Sequence, residues 1–326
     1  QHRRRGRGSS PLPPGSGPHP AILLIPGSGK QDRDETVCGH RPFLIWADTL
    51  TRAGIATLRL DDRGVGGSSG DKDQATHADL LDDVRFALAH LREHPAIDAT
   101  RIGALGHSEG GVLAAAVAAS SDVSLAVMLG TPGLRGDRVV HAQAEAISRA
   151  AGLSGEAIAH ERAMNEEVFA LVMSERDTRE LEPELIEVFR RRLSTWPGGG
   201  PTGAELDGAA RTMAEVVLTP AFRDFLLADP APSLRKVGCP VLALIGDRDI
   251  QVDSGPNLAA IRSALAASRF PESTVELVPG VNHLFQECRT GTIEEYEEIE
   301  ETVTPRVLRR VSDWIAARWA LPGEMR

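Results

Sequence analysis

Gly106-His107-Ser108-Glu109-Gly110 reads G-x-S-x-G, a serine with a glycine two residues to either side. A serine hydroxyl is a weak nucleophile at neutral pH. It attacks a carbonyl only with a base in hydrogen-bond reach, and that base needs a carboxylate to hold its tautomer. Residues of both types follow along the chain. Asp247, Asp249 and Asp253 cluster after the apolar run 240–246, and His283 closes the segment Pro279-Gly280-Val281-Asn282-His283 after the run 274–278. This set would support acyl transfer on Ser108, with His283 as base and then as acid for the leaving group. On its own the glycine motif also fits a plain turn, in a chain with 32 Gly. The carboxylates and the histidine behind it weigh against that reading.

The elements around these residues are the ones such chemistry needs. Residues 101–105 form an apolar run and 111–119 an alanine-rich helical stretch. Strand, sharp turn and helix make G-x-S-x-G a nucleophile elbow, with glycines where a side chain would collide. The backbone N–H of Glu109 then lies at a helix N-terminus, suited to a developing oxyanion. A second donor comes from the loop Pro26-Gly27-Ser28-Gly29 after the strand 21–25. The Ser28 N–H is the first candidate and that of Gly29 the runner-up. Runs 240–246 and 274–278 read as strands, so serine, carboxylates and histidine each follow a strand. Among the ten histidines, His90 and His94 fall on a helix, His2 and His19 in a polar tail, and His107 beneath the elbow.

Longer motifs add a resemblance. Ile25-Pro26-Gly27-Ser28-Gly29, Asp32-Arg33-Asp34-Glu35, Leu60-Asp61-Asp62-Arg63-Gly64-Val65-Gly66-Gly67-Ser68 and Gly106-His107-Ser108-Glu109-Gly110-Gly111 are similar to bacterial α/β-hydrolase esterases of the serine-aminopeptidase-like branch. The similarity covers residues 20–135 and 236–290. It implies an α/β-hydrolase fold, whose triad runs Ser, Asp, His along the chain. The pattern G-x-x-D-x-x-V from Gly246 to Val252 selects Asp249 over Asp247 and Asp253, so the implied catalytic residues are Ser108, Asp249 and His283. Relatives usually carry His-Gly-Ser-Gly where this chain has Pro26. Asp32, Arg33, Asp34 and Arg63 look like ties between two loops beside the site.

The remaining pattern fits a mostly parallel sheet with helices on both faces. Residues 55–60 and 125–129 read as strands, and 42–53 and 304–319 as helices. Thr76 is placed to cap a helix with Leu80, Leu81, Val84, Leu88 and Leu91 on one face. The alternation stops between Gly133 and Ser233, where helical patterns cover 137–195 and 204–227 around a Trp196-Pro197-Gly198-Gly199-Gly200-Pro201 break. The expected organisation is a disordered leader over 1–20, a catalytic domain over 21–133 and 234–326, and a helical cap insertion over 134–233. Antiparallel strands before residue 21 are expected to be reduced or absent. A dimerisation arm is the alternative role for the insertion, giving a homodimer through the cap.

Composition bounds the function. With 326 residues, 41% of them hydrophobic, the chain can bury a large core. A net charge of -10 disfavours nucleic acid and anionic membranes as main partners. Arg3-Arg4-Arg5 with Arg7 forms a small basic patch in the leader, and the acidic stretch 294–301 reads as a solvated helix face. Cys38, Cys239 and Cys288 match no metal spacing and read as free thiols. No run is apolar enough to span a membrane, and no signal-peptide core is evident. A cytoplasmic location is expected, with an N-terminus that is processed or truncated because the chain begins with Gln1. The expected activity is cofactor-free and metal-free hydrolysis of a small carboxylic ester of short to medium acyl chain. An aminopeptidase, a thioester hydrolase and a non-catalytic binding protein are the alternatives. For the peptidase, Glu109, Glu161, Glu166 or Glu167 would hold the substrate ammonium.

Overall fold

The computed structural model describes residues 6–270 and 272–321. Seven strands form one sheet: β1 (Gly8–Ser9), β2 (His19–Ile25), β3 (Ala56–Leu60), β4 (Ile97–His107), β5 (Ala126–Leu129), β6 (Val241–Gly246) and β7 (Thr274–Val278). Their spatial order is β1-β3-β2-β4-β5-β6-β7, and every pair except β1–β3 is parallel. Strands β2, β5 and β6 are almost wholly buried, as unbroken apolar runs in a covered parallel sheet must be. Chain order reverses between β2 and β4. The chain leaves β2 toward β3 on one side and returns to β4 on the other, which opens a crevice at the strand C-termini.

The chain folds as two units. The first spans residues 1–72, 78–134 and 229–326. It holds the sheet with α1 (Pro42–Arg52), most of α2 (His77–Glu93), α3 (Glu109–Ala119), and, after the second unit, α9 (Ala231–Leu234), α10 (Ser254–Ala266), α11 (Ile293–Glu298) and α12 (Pro305–Trp319). Alternate residues of each strand share a face. Ile22, Leu24, Leu129 and Leu244 thereby meet Trp46 of α1 and Trp314 of α12 in one apolar core.

The second unit spans residues 73–77 and 135–228, so residues 134 and 229–233, expected in the insertion, belong to the first. It contains α4 (Gly136–Ala150), α5 (Gly155–Val172), α6 (Thr178–Ser194), α7 (Gly203–Val217) and α8 (Pro220–Leu227). Its own core includes Met164, Val168, Phe169, Leu185, Phe189 and Ala214. The helical stretch expected over 204–227 breaks at residues 218–219. Pro220 has no N–H to continue α7, and the Thr219 hydroxyl accepts the Phe222 N–H at 3.3 Å to start α8.

Two further expectations need correction. Part of the supposedly disordered leader is strand: β1 pairs antiparallel with β3 through Gly8 opposite Leu60 and Ser9 opposite Arg59. The open edge of β3 presents unpaired N–H and C=O groups, and β1 satisfies some of them. Residues 1–5, with His2 and the cluster Arg3-Arg4-Arg5, lie outside the described residues. The acidic stretch is not wholly solvated either, because Glu295 and Tyr296 are buried.

Candidate active site

Strand β4 ends at His107 and α3 begins at Glu109, so Ser108 alone makes the turn. Its backbone is held at φ 51°, ψ −121°, strained for a residue with a side chain. Such a turn requires neighbours without a Cβ. One on Gly106 would strike the Gly110 carbonyl, and one on Gly110 would strike the Ile25 carbonyl. The Ser108 N–H donates to the Leu129 carbonyl at 2.8 Å, anchoring the elbow to the end of β5.

Asp249 follows β6 and His283 follows β7. Both are buried, and His283 Nδ1 lies 2.7 Å from Asp249 Oδ2. Asp249 Oδ1 accepts the N–H groups of Gln251 and Val252 at 2.9 and 2.8 Å, which fixes the carboxylate. With a carboxylate at Nδ1, that nitrogen carries the proton, and Nε2 keeps the lone pair a general base needs. Gly130 packs beneath the pair; a Cβ there would lie 3.0 Å from His283 Nδ1 and 3.5 Å from Asp249 Oδ2. The rival carboxylates have other tasks. Asp247 Oδ1 accepts the Gly280 N–H at 2.6 Å and ties the β6 loop to the β7 loop. Asp253 caps α10 through the Gly255 N–H.

The oxyanion candidates lie on either side of the chain-order reversal. Gly27, after β2, faces the nucleophile: a Cβ there would be 3.2 Å from Ser108 Cβ. The Gly27 N–H is already engaged with Glu35 Oε1 at 2.7 Å. The N–H groups of Ser28, Gly29 and Glu109 have no acceptor among the described residues, so all three remain available. Serine elbow, carboxylate–histidine pair and donor loop thus share the C-terminal edge of one sheet. A model described as the alpha/beta hydrolase family matches residues 22–295.

The chain belongs to the alpha/beta hydrolase family. It is similar to esterase EstD of Thermotoga maritima, 27% identical over 245 residues, covering 75% of this chain and 50% of that protein. The chain therefore spans about half the length of that curated relative. Among solved structures it resembles the alpha/beta hydrolase GrgF from Penicillium sp. sh18, with a TM-score of 0.59 and 15% identity over 97% of this chain and 95% of that one. Est1E from Butyrivibrio proteoclasticus, solved with ferulic acid bound, matches with a TM-score of 0.54 and 17% identity over 97% and 96%. These two share the fold.

This member of the family carries a dense charge network. Arg33 Nη2 pairs with Asp61 Oδ2 at 2.6 Å and Arg59 pairs with Asp34, joining the 32–34 loop to the end of β3 as expected. Arg63 is instead held by Asp83 and Asp79 of α2. Glu109 is buried, and its desolvation pushes the carboxyl pKa up; Lys72 opposes the rise and Asp62 adds to it. Burial likewise pushes the thiols of Cys239 and Cys288 up to about 12 and about 11, away from nucleophilic thiolate character.

One functional-looking group does not stand out in the sequence. Glu35 is buried with a positive φ of 53° and contacts both Gly27 and His107. The motif Asp32-Arg33-Asp34-Glu35 was the available signal. A carboxylate shortly after the Gly29 loop invites a contact back to it, but only the folded loop shows that Glu35 is the one pointing inward. A cavity of about 620 Å³ lies elsewhere, lined by Leu60, Lys72, Leu80, Val84 and Phe86 among others, and does not include the Ser108, Asp249 or His283 side chains.

Proposed function

We propose that this protein is a serine hydrolase of carboxylic esters, acting through Ser108, Asp249 and His283. The observation that carries this reading is the buried Asp249–His283 pair at 2.7 Å on the same sheet edge as the strained Ser108 elbow. In the acylation step Ser108 Oγ attacks the ester carbonyl carbon while His283 Nε2 takes its proton. Asp249 steadies the resulting imidazolium. The carbonyl oxygen becomes an oxyanion, received by the Glu109 N–H and the Ser28 N–H, with Gly29 as the second candidate in that loop. Collapse of the tetrahedral intermediate expels the alcohol, which takes the proton from His283. Water, deprotonated by His283, then attacks the acyl-enzyme and releases the acid and free Ser108.

Esters of short to medium acyl chain are the proposed substrates. A peptidase acting on a free amino terminus needs a carboxylate to receive the ammonium, and the candidates serve that role poorly. Burial pushes Glu109 toward its neutral form. Glu161 accepts the Ser148 hydroxyl, Glu166 pairs with Arg162, and Glu167 pairs with Arg191 and Arg192. The helical unit enters the chain between β5 and β6. We assign it the selection of acyl group, as an insertion on a rigid scaffold. The test is Ser108→Ala against a panel of p-nitrophenyl esters of graded chain length and aminoacyl amides. Turnover should fall by at least about ten-thousandfold, and a fluorophosphonate should label Ser108 in the unaltered chain only. Ester turnover that survives in folded Ser108→Ala would overturn the assignment.

A further inference from the structure

His107 stands between two acceptors. Its Nδ1 lies 2.9 Å from Glu35 Oε1, and its Nε2 lies 3.0 Å from the His283 carbonyl oxygen. A carbonyl oxygen carries no proton, so Nε2 must be the donor there. A second proton must then lie between Nδ1 and Glu35. A neutral imidazole has only one N–H, so the pair holds one proton more than a neutral histidine beside a carboxylate. Glu35 Oε1 also accepts the Gly27 N–H, so the oxygen facing Nδ1 already acts as an acceptor. Glu35 Oε2 is buried with no hydrogen-bond partner among the described residues, which makes the neighbouring cation still more necessary.

We propose that His107 is a standing imidazolium, ion-paired with Glu35, and that this pair is the positioning device of the active site. The proposal rests on the hydrolase reading above and deepens it. Three catalytic segments meet at the pair. The oxyanion loop is held through the Gly27 N–H. The elbow is held because His107 is the residue before Ser108. The histidine loop is held through the His283 carbonyl. Pro26 has no N–H to offer, so the anchor of the loop falls on the Gly27 N–H and Glu35. The pair touches no reacting atom in this scheme and acts through the segments it joins.

The charged and titratable groups facing His107 are Glu35 from the loop after β2, the His283 ring at 4.6 Å between centroids, and Asp249 behind that ring. Burial works to lower the His107 pKa, but the charge and hydrogen bond of Glu35, with help from the His283 carbonyl and Asp249, raise it overall. A histidine raised in the folded state contributes stability that is full below its ordinary value of roughly 6.5 and is lost as pH rises through the raised value.

The test is ¹⁵N-histidine NMR of the full chain at neutral pH, above the ordinary histidine value of roughly 6.5. One imidazole should keep both ring nitrogens protonated. That signal should vanish in His107→Asn and become a neutral imidazole in Glu35→Gln. The same Glu35→Gln chain should lose kcat on a short p-nitrophenyl ester by about tenfold or more, the scale of one charge-assisted hydrogen bond, with KM nearly unchanged. A bare ring nitrogen on His107 in the unaltered chain, or an unchanged kcat in folded Glu35→Gln, overturns the proposal. Should Glu35→Gln fail to fold, the spectrum of the unaltered chain alone decides. Failure of fluorophosphonate to label Ser108 would strike the hydrolase reading and leave the protonation state of His107 standing on its own measurement.

Discussion

In the α/β unit the core joins residues far apart in the chain: Leu24 pairs with Leu105, Val127 with Leu242, and Trp314 packs into the same cluster. In the helical unit the core is assembled from helices that follow one another, with Val168 and Phe169 of α5 against Leu185 and Phe189 of α6. The first arrangement leaves backbone against backbone. Gly106, Gly110 and Gly246 stand where a Cβ would strike a carbonyl oxygen. The second packs mainly through side chains, with close backbone contacts at Gly136 against the Phe225 carbonyl and Gly200 against that of Leu193, and ion pairs such as Arg190–Asp207 on the outside. Catalytic atoms need positions held to fractions of an ångström, and strand ends locked by neighbouring backbone provide that. Helices packed through side chains accept new residues at lower cost, which suits the role proposed for that segment.

The largest effect should come from the carboxylate in the α/β unit. Asp249→Asn removes the group that holds His283 in its working tautomer, so kcat should fall by about a thousandfold to ten-thousandfold. Asp247→Asn should lose less than about tenfold, since its carboxylate ties a loop through one hydrogen bond. Glu167→Gln, in the helical unit, should change ester turnover by less than about twofold, because the pair it breaks lies at the surface. Steady-state kinetics on one ester decides all three. A loss for Glu167→Gln comparable with that of Asp249→Asn would break the division between the units.

Glycine substitutions sharpen the contrast in stability. Gly110→Ala forces a Cβ into the Ile25 carbonyl and should destabilise by about 3 kcal/mol or more. Gly208→Ala, inside α7, meets nothing within 4 Å and should stabilise by about 0.5–1 kcal/mol. Denaturant titration of both variants gives the signs, and a tolerated Gly110→Ala would contradict the tight elbow.

A smaller effect belongs to Glu295. Its burial opposes ionisation, but hydrogen bonds from Thr290, Arg289 and Gly291 prevail and bring the pKa down to about 2. A depressed carboxyl contributes stability above its ordinary range near 4.5 and loses it as pH falls toward 2. Glu295→Gln should therefore cost about 1–3 kcal/mol at neutral pH, with the gap to the unaltered chain closing in acid. Thermal melts at descending pH would show a constant gap if Glu295 were merely a solvated helix residue.

Much of the site was open to reading in one dimension, because its constraints are local. A G-x-S-x-G between an apolar run and an alanine helix demands an elbow by sterics alone, and Ser108 occupies it. The strand at 241–246 came from an unbroken apolar run bounded by turn residues, which is how a buried parallel strand must look, whereas 274–278 forms the half-exposed edge. Other features depend on what arrives from elsewhere. The strand at Gly8–Ser9 exists because the edge of β3 needs partners, and two residues carry no periodicity. Glu295 escaped notice because a glutamate run reads as solvated until a loop folds its N–H groups onto one carboxylate. The choice of Asp249 over Asp247 leaned on resemblance, and only the tertiary structure brings one of them to His283 and the other to Gly280. Glu35 and His107 are 72 positions apart in the chain. The sequence determined the chemistry available to this protein, since nucleophile, base and acid are residue types in a fixed order. Tertiary structure decided which carboxylate meets His283 and which meets His107, because both depend on distances that only long-range strand pairing sets.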